Sequence, residues 1–112
     1  MSIAEELAKK QLECYNNHDL EGFLSVYHDD TKIYNIDGTL IMEGKAAMRE
    51  RYGERFKNPK LHARLVNRMV FGNKAIDHES VTVGDDNPPV QVAAIYEVEG
   101  ELIKTDWFVR ES

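Results

Sequence analysis

The pattern of apolar residues changes once along this chain, near Leu61. Before that point apolar residues recur every three or four positions, which is the spacing of helices with one buried face. After it, polar and apolar residues alternate and β-branched residues become frequent. Helices followed by consecutive strands are the order of an α+β domain whose helices cover one face of a sheet.

Three helices are predicted in the first half of the chain. A capping box formed by Ser2 and Glu5 starts the first, and Asp19 can cap the second after a polar link. Gly44 opens the third, and the Asn58-Pro59 pair ends it, because the residue before a proline is disfavoured in a helix. The predicted bounds are about 3–17 and 19–27 for the first two helices, 31–36 for a short extended stretch, and 44–58 for the third helix.

Four strands in a meander are predicted from Leu61 onward, with turns at 72–73, 84–89 and 99–100. A two-residue turn at Gly72-Asn73 makes Phe71 face Lys74. The same register places Asn67 opposite His78 and Leu65 opposite Ser80 on a face expected to line the core. It places Arg68 opposite Asp77 on a face expected to meet solvent.

The second hairpin is predicted to pair Val98 with Glu101. This register gives one core face made of Val92, Ala94, Tyr96, Ile103, Thr105 and Trp107. A slip of one residue would turn Asp106 towards the core and would also expose Trp107. The prediction therefore keeps Trp107 inside and Asp106 outside.

Composition excludes several classes of protein. The 112 residues, 42% of them hydrophobic, suit a single domain over residues 1–112. The net charge of −6 argues against nucleic-acid and anionic-membrane partners, and no apolar run approaches the ~20 residues of a membrane-spanning helix. The opening residues lack the pattern of a secretory signal, and the single cysteine, Cys14, is interpreted as a packed helix residue. A cytoplasmic location is the expectation.

Charged clusters elsewhere predict no further site. Arg49, Arg51 and Arg55 are interleaved with Glu50 and Glu54, which is typical of a solvated helix face. No two histidines have the spacing of a shared metal site, and no phosphate-binding glycine loop or dinucleotide fingerprint is present in the sequence. We therefore expect no metal and no cofactor.

Several segments resemble one family. The run from Asn17 to Asp30, the Glu43-Gly44-Lys45 segment, the Gly100–Ile103 turn and the Trp107-Phe108 pair are similar to the nuclear transport factor 2 superfamily, and more narrowly to SnoaL-like polyketide cyclases and ketosteroid isomerases. The resemblance implies a cone-shaped, cystatin-like fold, with about three helices on the concave face of a curved, mostly antiparallel sheet that encloses a pocket. Such folds host isomerases, cyclases, dehydratases, epoxide hydrolases and binding domains, so the fold alone does not give the chemistry.

The isomerase pattern transfers only in part. The resemblance implies that Tyr27 and Tyr52 match two tyrosines that support the oxyanion site in those enzymes. The oxyanion-donating tyrosine, the general-base aspartate and a second acid fall here at Gln11, Asn35 and near Val92. Tyr15, one helical turn after Gln11, is a possible substitute donor. The usual ketosteroid isomerase chemistry is therefore not expected.

His78 is the leading candidate for chemistry. With the predicted register, the polar groups that face the pocket are Asn35, Asn67, His78, Ser80 and Thr105. Of these only His78 exchanges a proton near neutral pH, and Asn67 could fix its tautomer. A buried neutral histidine that is merely satisfied by Asn67 is an equally weighted alternative.

The sequence thus predicts a SnoaL-like enzyme that carries out acid/base isomerisation, cyclisation or dehydration on an apolar, carbonyl-bearing small molecule. The predicted catalytic residues are His78, Asn35 and Tyr52. The predicted substrate-binding residues are Tyr15, Tyr27, Asn67, Ser80, Tyr96, Thr105 and Trp107. Two alternatives stay open, a non-catalytic domain that binds a small molecule and a dimerisation module with a filled pocket.

A homodimer is also expected. The resemblance implies pairing through the outer face of the sheet, where the predicted register places Ala93, Ile95 and Phe108. Such an apolar patch is unusual for a face that meets solvent.

Overall fold

Three helices and six strands make up residues 2–111, the part of the chain that the computed structural model describes. The helices are α1 (Ile3–Asn16), α2 (Leu20–Leu24) and α3 (Lys45–Arg55), and the strands are β1 (Tyr27–Asn35), β2 (Leu40–Glu43), β3 (His62–Phe71), β4 (Lys74–Thr82), β5 (Val90–Glu99) and β6 (Leu102–Arg110). The predicted α+β class is confirmed. Within these residues no helix is both long and apolar enough to cross a membrane.

The local signals at the helix ends act as predicted. The Ser2 hydroxyl accepts a hydrogen bond from the Glu5 amide at 3.0 Å, and the Asp19 carboxylate accepts one from the Gly22 amide at 3.0 Å. Gly44, with φ of +87°, turns the chain into α3. One boundary differs from the prediction, since Tyr27 opens β1 instead of closing α2.

The sheet has the strand order β2-β1-β6-β5-β4-β3. Every neighbouring pair is antiparallel except β1 and β6, which are parallel. Helix α1 packs against β3 to β6 and helix α3 against β1 and β2, so the helices cover one face, the inner face. The apolar core lies between this face and the helices.

The first hairpin has the predicted register but the opposite facing. Asn67 pairs with His78 and Arg68 with Asp77, as expected. Asp77 is fully buried on the inner face, however, and His78 is exposed on the outer face. A bulge between Leu65 and Asn67 then pairs Leu65 with Glu79 instead of Ser80.

The predicted facing of the first hairpin was wrong because β4 carries apolar residues on both sides. Ala75 and Val81 are buried on the inner side, while Ile76 is only half-buried on the outer side. Apolar alternation therefore does not choose between the faces. The inner face is the one that carries the two acids of β4, which the sequence analysis assigned to solvent.

The second hairpin turns at Gly100-Glu101, one residue later than predicted, so that Val98 pairs with Ile103, and a bulge between Glu97 and Val98 then shifts the pairing by one further residue. Tyr96 then pairs with Asp106, which is fully buried on the inner face. The prediction that Thr105 and Trp107 face the core is wrong. Trp107 lies on the outer face and stacks on Tyr34, with ring centroids 6.3 Å apart.

Candidate active site

A cavity of about 210 Å³ lies between the inner face of the sheet and the helices. Its apolar lining residues are Leu12, Phe23, Val81, Val83, Val90, Val92 and Phe108, and its polar lining residues are Gln11, Tyr15, Tyr52, Arg55, Glu79, Tyr96 and Arg110. An engineered apolar cavity of about 150 Å³ is known to hold benzene. This cavity therefore has room for a small molecule built on one ring.

Glu79 is the one acidic residue among the described residues that line the cavity. Its side chain is nearly buried, and its Oε2 atom has no hydrogen-bond partner within residues 2–111. Burial, and to a smaller extent the negative charge of Asp77, raises the pKa of Glu79 from 4.5 to about 7, while Arg68 opposes the shift. Glu79 can therefore both release and accept a proton near neutral pH.

Arg68 and Asp77 form a buried ion pair beside Glu79. The Arg68 Nε atom donates to Asp77 Oδ1 at 2.7 Å, and the Nη2 atom donates to Oδ2 at 3.0 Å. Both carboxylate oxygens of Asp77 are thus bonded to one guanidinium, a geometry that holds the two charges tightly together. Because Arg68 is bonded to Asp77, Glu79 has no ion-pair partner within residues 2–111.

Asp106 is a second buried acid, behind the cavity wall. Its Oδ2 atom accepts a hydrogen bond from the Tyr27 hydroxyl at 3.0 Å, and its buried Oδ1 atom has no partner in the described part of the chain. Burial raises the pKa of Asp106 well above its usual range, although the Tyr27 hydrogen bond opposes this. Burial thus favours the protonated form of Asp106, and the negative charge of Glu79 acts in the same direction.

Two tyrosine hydroxyls in the cavity wall are held by side chains of the helices. The Gln11 amide lies within hydrogen-bonding distance of the Tyr96 hydroxyl through its nitrogen, at 3.2 Å, and its oxygen, at 3.3 Å. The Tyr15 hydroxyl accepts a hydrogen bond from Arg55 Nε at 2.9 Å, which leaves its own proton available for donation. Burial raises the pKa of both hydroxyls, so both remain protonated donors.

The sequence-predicted residues divide between the two faces of the sheet. Tyr15, Tyr52 and Tyr96 line the cavity, whereas Tyr27 is buried behind it on Asp106. Asn35, the last residue of β1, pairs with Phe108 and does not line the cavity. The inward placement of the remaining residues is wrong, since the outer face carries Asn67, His78, Ser80, Thr105 and Trp107.

The His78 side chain has a hydrogen-bond partner on the outer face. Its Nε2 atom lies 2.7 Å from Gln91 Oε1, and the Gln91 amide nitrogen donates to the Ser80 hydroxyl at 3.2 Å. Asn67 pairs with His78 across the strands but is itself exposed. His78 therefore lies on the opposite face of the sheet from the cavity and does not line it.

Sequence reasoning missed Glu79, Arg55 and Arg110, and it placed Asp106 on the solvent side although a slip of one residue would have turned it inward. Phe108, which was expected on the outer face, also lines the cavity. One signal was available, since Arg68 directly opposite Asp77 fits a buried ion pair as well as it fits a surface ladder. With that facing, the apolar residues Met69, Ile76 and Ile95 lie on the outer face.

Helices over the inner face of a curved sheet, with acids and tyrosines around the enclosed cavity, define a cystatin-like, nuclear transport factor 2-like fold. The sequence model of the SnoaL-like domain matches residues 8–105 of this chain. The chain therefore belongs to the SnoaL-like family. No curated protein matches the chain with statistical significance.

Solved structures agree with this assignment. An uncharacterised cystatin-fold protein from Novosphingobium aromaticivorans is 31% identical, with a TM-score of 0.87 over 98% of this chain and 99% of that one. A proposed ketosteroid isomerase from Kribbella flavida is 18% identical, with a TM-score of 0.84 over 98% of this chain and 78% of that one. A proposed polyketide cyclase from Sinorhizobium meliloti is 13% identical, with a TM-score of 0.79 over 97% and 100% of the two chains. The last two likenesses show the fold alone.

The raised pKa of Glu79 predicts how the free energy of unfolding depends on pH. The unfolded chain releases the Glu79 proton near pH 4.5, whereas the folded protein holds it up to about pH 7. The free energy of unfolding should therefore fall between these two pH values, relative to that of a Glu79→Gln variant, by about 3 kcal/mol. Urea unfolding of both proteins at a series of pH values measures this difference.

The control is Glu50→Gln, which removes an exposed carboxyl group of α3. Its free energy of unfolding should follow that of the unmodified protein across the same pH range. A wild-type minus Glu79→Gln difference that stays constant from pH 4.5 to 7 would show that the Glu79 pKa is not raised.

Proposed function

We propose that this protein is an enzyme that catalyses cofactor-free acid/base chemistry, such as isomerisation, cyclisation or dehydration, on an apolar, carbonyl-bearing small molecule, with Glu79 as the general acid/base. The observation that supports this most directly is Glu79 itself, a nearly buried carboxyl group in the cavity wall with an unpartnered Oε2 atom and a pKa of about 7. Groups with such properties concentrate at active sites. The apolar lining favours a ligand with an apolar body.

The proposed step is proton transfer next to a carbonyl group. Ionised Glu79 takes a proton from the carbon beside the carbonyl, and the electron pair of that C–H bond moves onto the carbonyl oxygen as an enolate. The Tyr15 hydroxyl, which accepts from Arg55 and keeps its own proton, is a donor available to this oxygen in the cavity wall. Return of the proton from Glu79 to carbon completes the turnover, and return to a different carbon gives an isomer.

Hydrogen–deuterium exchange tests this step without knowledge of the natural substrate. The protein should speed exchange of the protons beside the carbonyl of two one-ring ketones, acetophenone and propiophenone, in D₂O, as followed by proton NMR. The exchange rate should rise with pH through about 7, the pKa of Glu79, because the ionised form is the base. Glu79→Gln should lower the enzyme-dependent rate by about 100-fold or more.

His78→Asn is the matched control, because His78 lies on the outer face and should leave the exchange rate unchanged. If neither ketone exchanges faster with the protein than without it, the acid/base proposal fails. If the ketones still stabilise the Glu79→Gln variant but neither protein speeds their exchange, the chain is a binding domain.

A homodimer through the outer face of the sheet is a second proposal. Paired residues on five neighbouring strands form one continuous line across this face, and we call this line the apolar row. It consists of Met69, Ile76, Ile95, Trp107 and Tyr34. A charged line borders it on one side, made of Lys74, Glu97, Thr105, Lys32 and Glu43. Two copies related by a twofold axis would bury both apolar rows against each other.

Sedimentation velocity tests the dimer. Ile95→Lys places a charge in the middle of the apolar row and should convert the protein to monomers. Ile3→Lys makes the same substitution at an exposed isoleucine on the helix side and should leave the dimer intact. A wild-type protein that sediments as a monomer at micromolar concentration would contradict the proposal.

A further inference from the structure

Two arginines line the cavity and form no ion pair within residues 2–111. Arg55 is the last residue of α3, and Arg110 is the last residue of β6. Neither guanidinium lies within 4.0 Å of a carboxylate in this part of the chain. The chain has 20 acidic and 14 basic residues, so acidic partners are plentiful. Neither positive charge of the cavity wall is therefore paired with a carboxylate in the described residues.

Both guanidinium groups have unused hydrogen-bonding capacity. Arg55 uses its Nε–H to bond the Tyr15 hydroxyl at 2.9 Å, which is one of the five N–H donors of an arginine. The central carbon of the Arg110 guanidinium lies 5.7 Å from the ring centroid of Phe108, another residue of the cavity wall. An aromatic face holds the charge in position without saturating its donors.

The two charges act on the same part of the cavity. Burial raises the pKa of the Tyr15 hydroxyl, and the positive charges of Arg55 and Arg110 both oppose this increase. The same two arginines oppose the increase at Tyr52. Their fields therefore overlap at one wall of the cavity.

The sheet register fixes where this wall lies relative to Glu79. Glu79 pairs with Val92, and Val92 pairs with Arg110, so the three residues form one line across β4, β5 and β6. Neighbouring strands are about 4.8 Å apart, which separates the Cα atoms of Glu79 and Arg110 by about 10 Å. The acid/base group and the positive charge thus lie on two sides of one cavity.

We propose that the ligand of this cavity carries a carboxylate, which Arg110 and Arg55 bind while the carbonyl end of the ligand lies next to Glu79. This assignment rests on the proposed function and names its substrate class, an apolar keto acid or a similar organic anion. Arginine binds carboxylates with paired, charge-assisted hydrogen bonds, and the partly buried Arg55 and the exposed Arg110 both keep N–H donors free for such a ligand. The distance between the two groups suits a ring with a short acid chain.

Matched pairs of acids and amides test the proposal. The probes are 4-oxo-4-phenylbutanoate and 4-oxo-4-phenylbutanamide, and phenylacetate and phenylacetamide, with affinities measured by titration calorimetry. Each carboxylate should bind the wild-type protein at least about tenfold more tightly than its amide. Arg110→Gln should bring this ratio close to one, and Arg110→Lys should restore part of it, because the charge returns without the planar donor pair.

Arg51→Gln is the matched control, since it removes an exposed guanidinium of α3 that does not line the cavity. Its acid-to-amide ratio should equal that of the wild type. Equal binding of acid and amide, an unchanged ratio in Arg110→Gln, or no binding of any probe would overturn the carboxylate assignment.

These outcomes can be separated from a failure of the proposed function. Exchange of the neutral ketones with no preference for carboxylates leaves Glu79 as the acid/base and removes only the anion site. A preference for carboxylates that depends on Arg110, without any ketone exchange, keeps the anion site and makes the chain a binding domain.

Discussion

The ion pair between Arg68 and Asp77 is the interaction on which the inner face of this sheet depends. It allows a fully buried aspartate in β4, because both carboxylate oxygens are bonded to one guanidinium. It also sets the environment of Glu79, two residues further along the same strand. An arginine free to turn towards Glu79 would hold that carboxyl group ionised. Because Arg68 is already bonded to Asp77, burial dominates and Glu79 keeps its proton to about pH 7.

The inner face thus holds three acids in three different states. Asp77 is paired with a cation, Asp106 is bonded to the Tyr27 hydroxyl and has a pKa raised by burial well above its usual range, and Glu79, with a pKa of about 7, lies at the cavity wall. Differences of this kind between neighbouring acids are what acid/base catalysis requires. The positive charges of Arg55 and Arg110 face the same cavity, and Glu79 and both arginines all act on the Tyr15 hydroxyl. The cavity therefore combines one acid of raised pKa with two arginines among apolar side chains.

The features predicted correctly from the sequence are those that local interactions determine. Caps at Ser2 and Asp19 and the turn at Gly72-Asn73 each act within a few residues, and all three are confirmed. The facing of β4 and the bulge in the last hairpin depend on residues far apart in the chain, so the predicted site around His78 was on the wrong face. The cavity tyrosines were found because they fall on helical and β-strand stripes. Glu79 was missed because the sequence does not distinguish a buried acid from a surface acid until the facing of its strand is known.

The most direct test is to titrate the Glu79 side-chain carboxyl by carbon-13 NMR, in the wild type and in Asp77→Asn, with the signal assigned from its absence in Glu79→Gln. We expect a pKa of about 7 in the wild type. Asp77→Asn frees the Arg68 charge to act on Glu79, so the pKa should fall clearly in that variant. A wild-type pKa near the ordinary value of 4.5, or the same pKa in both proteins, would contradict the account of this site.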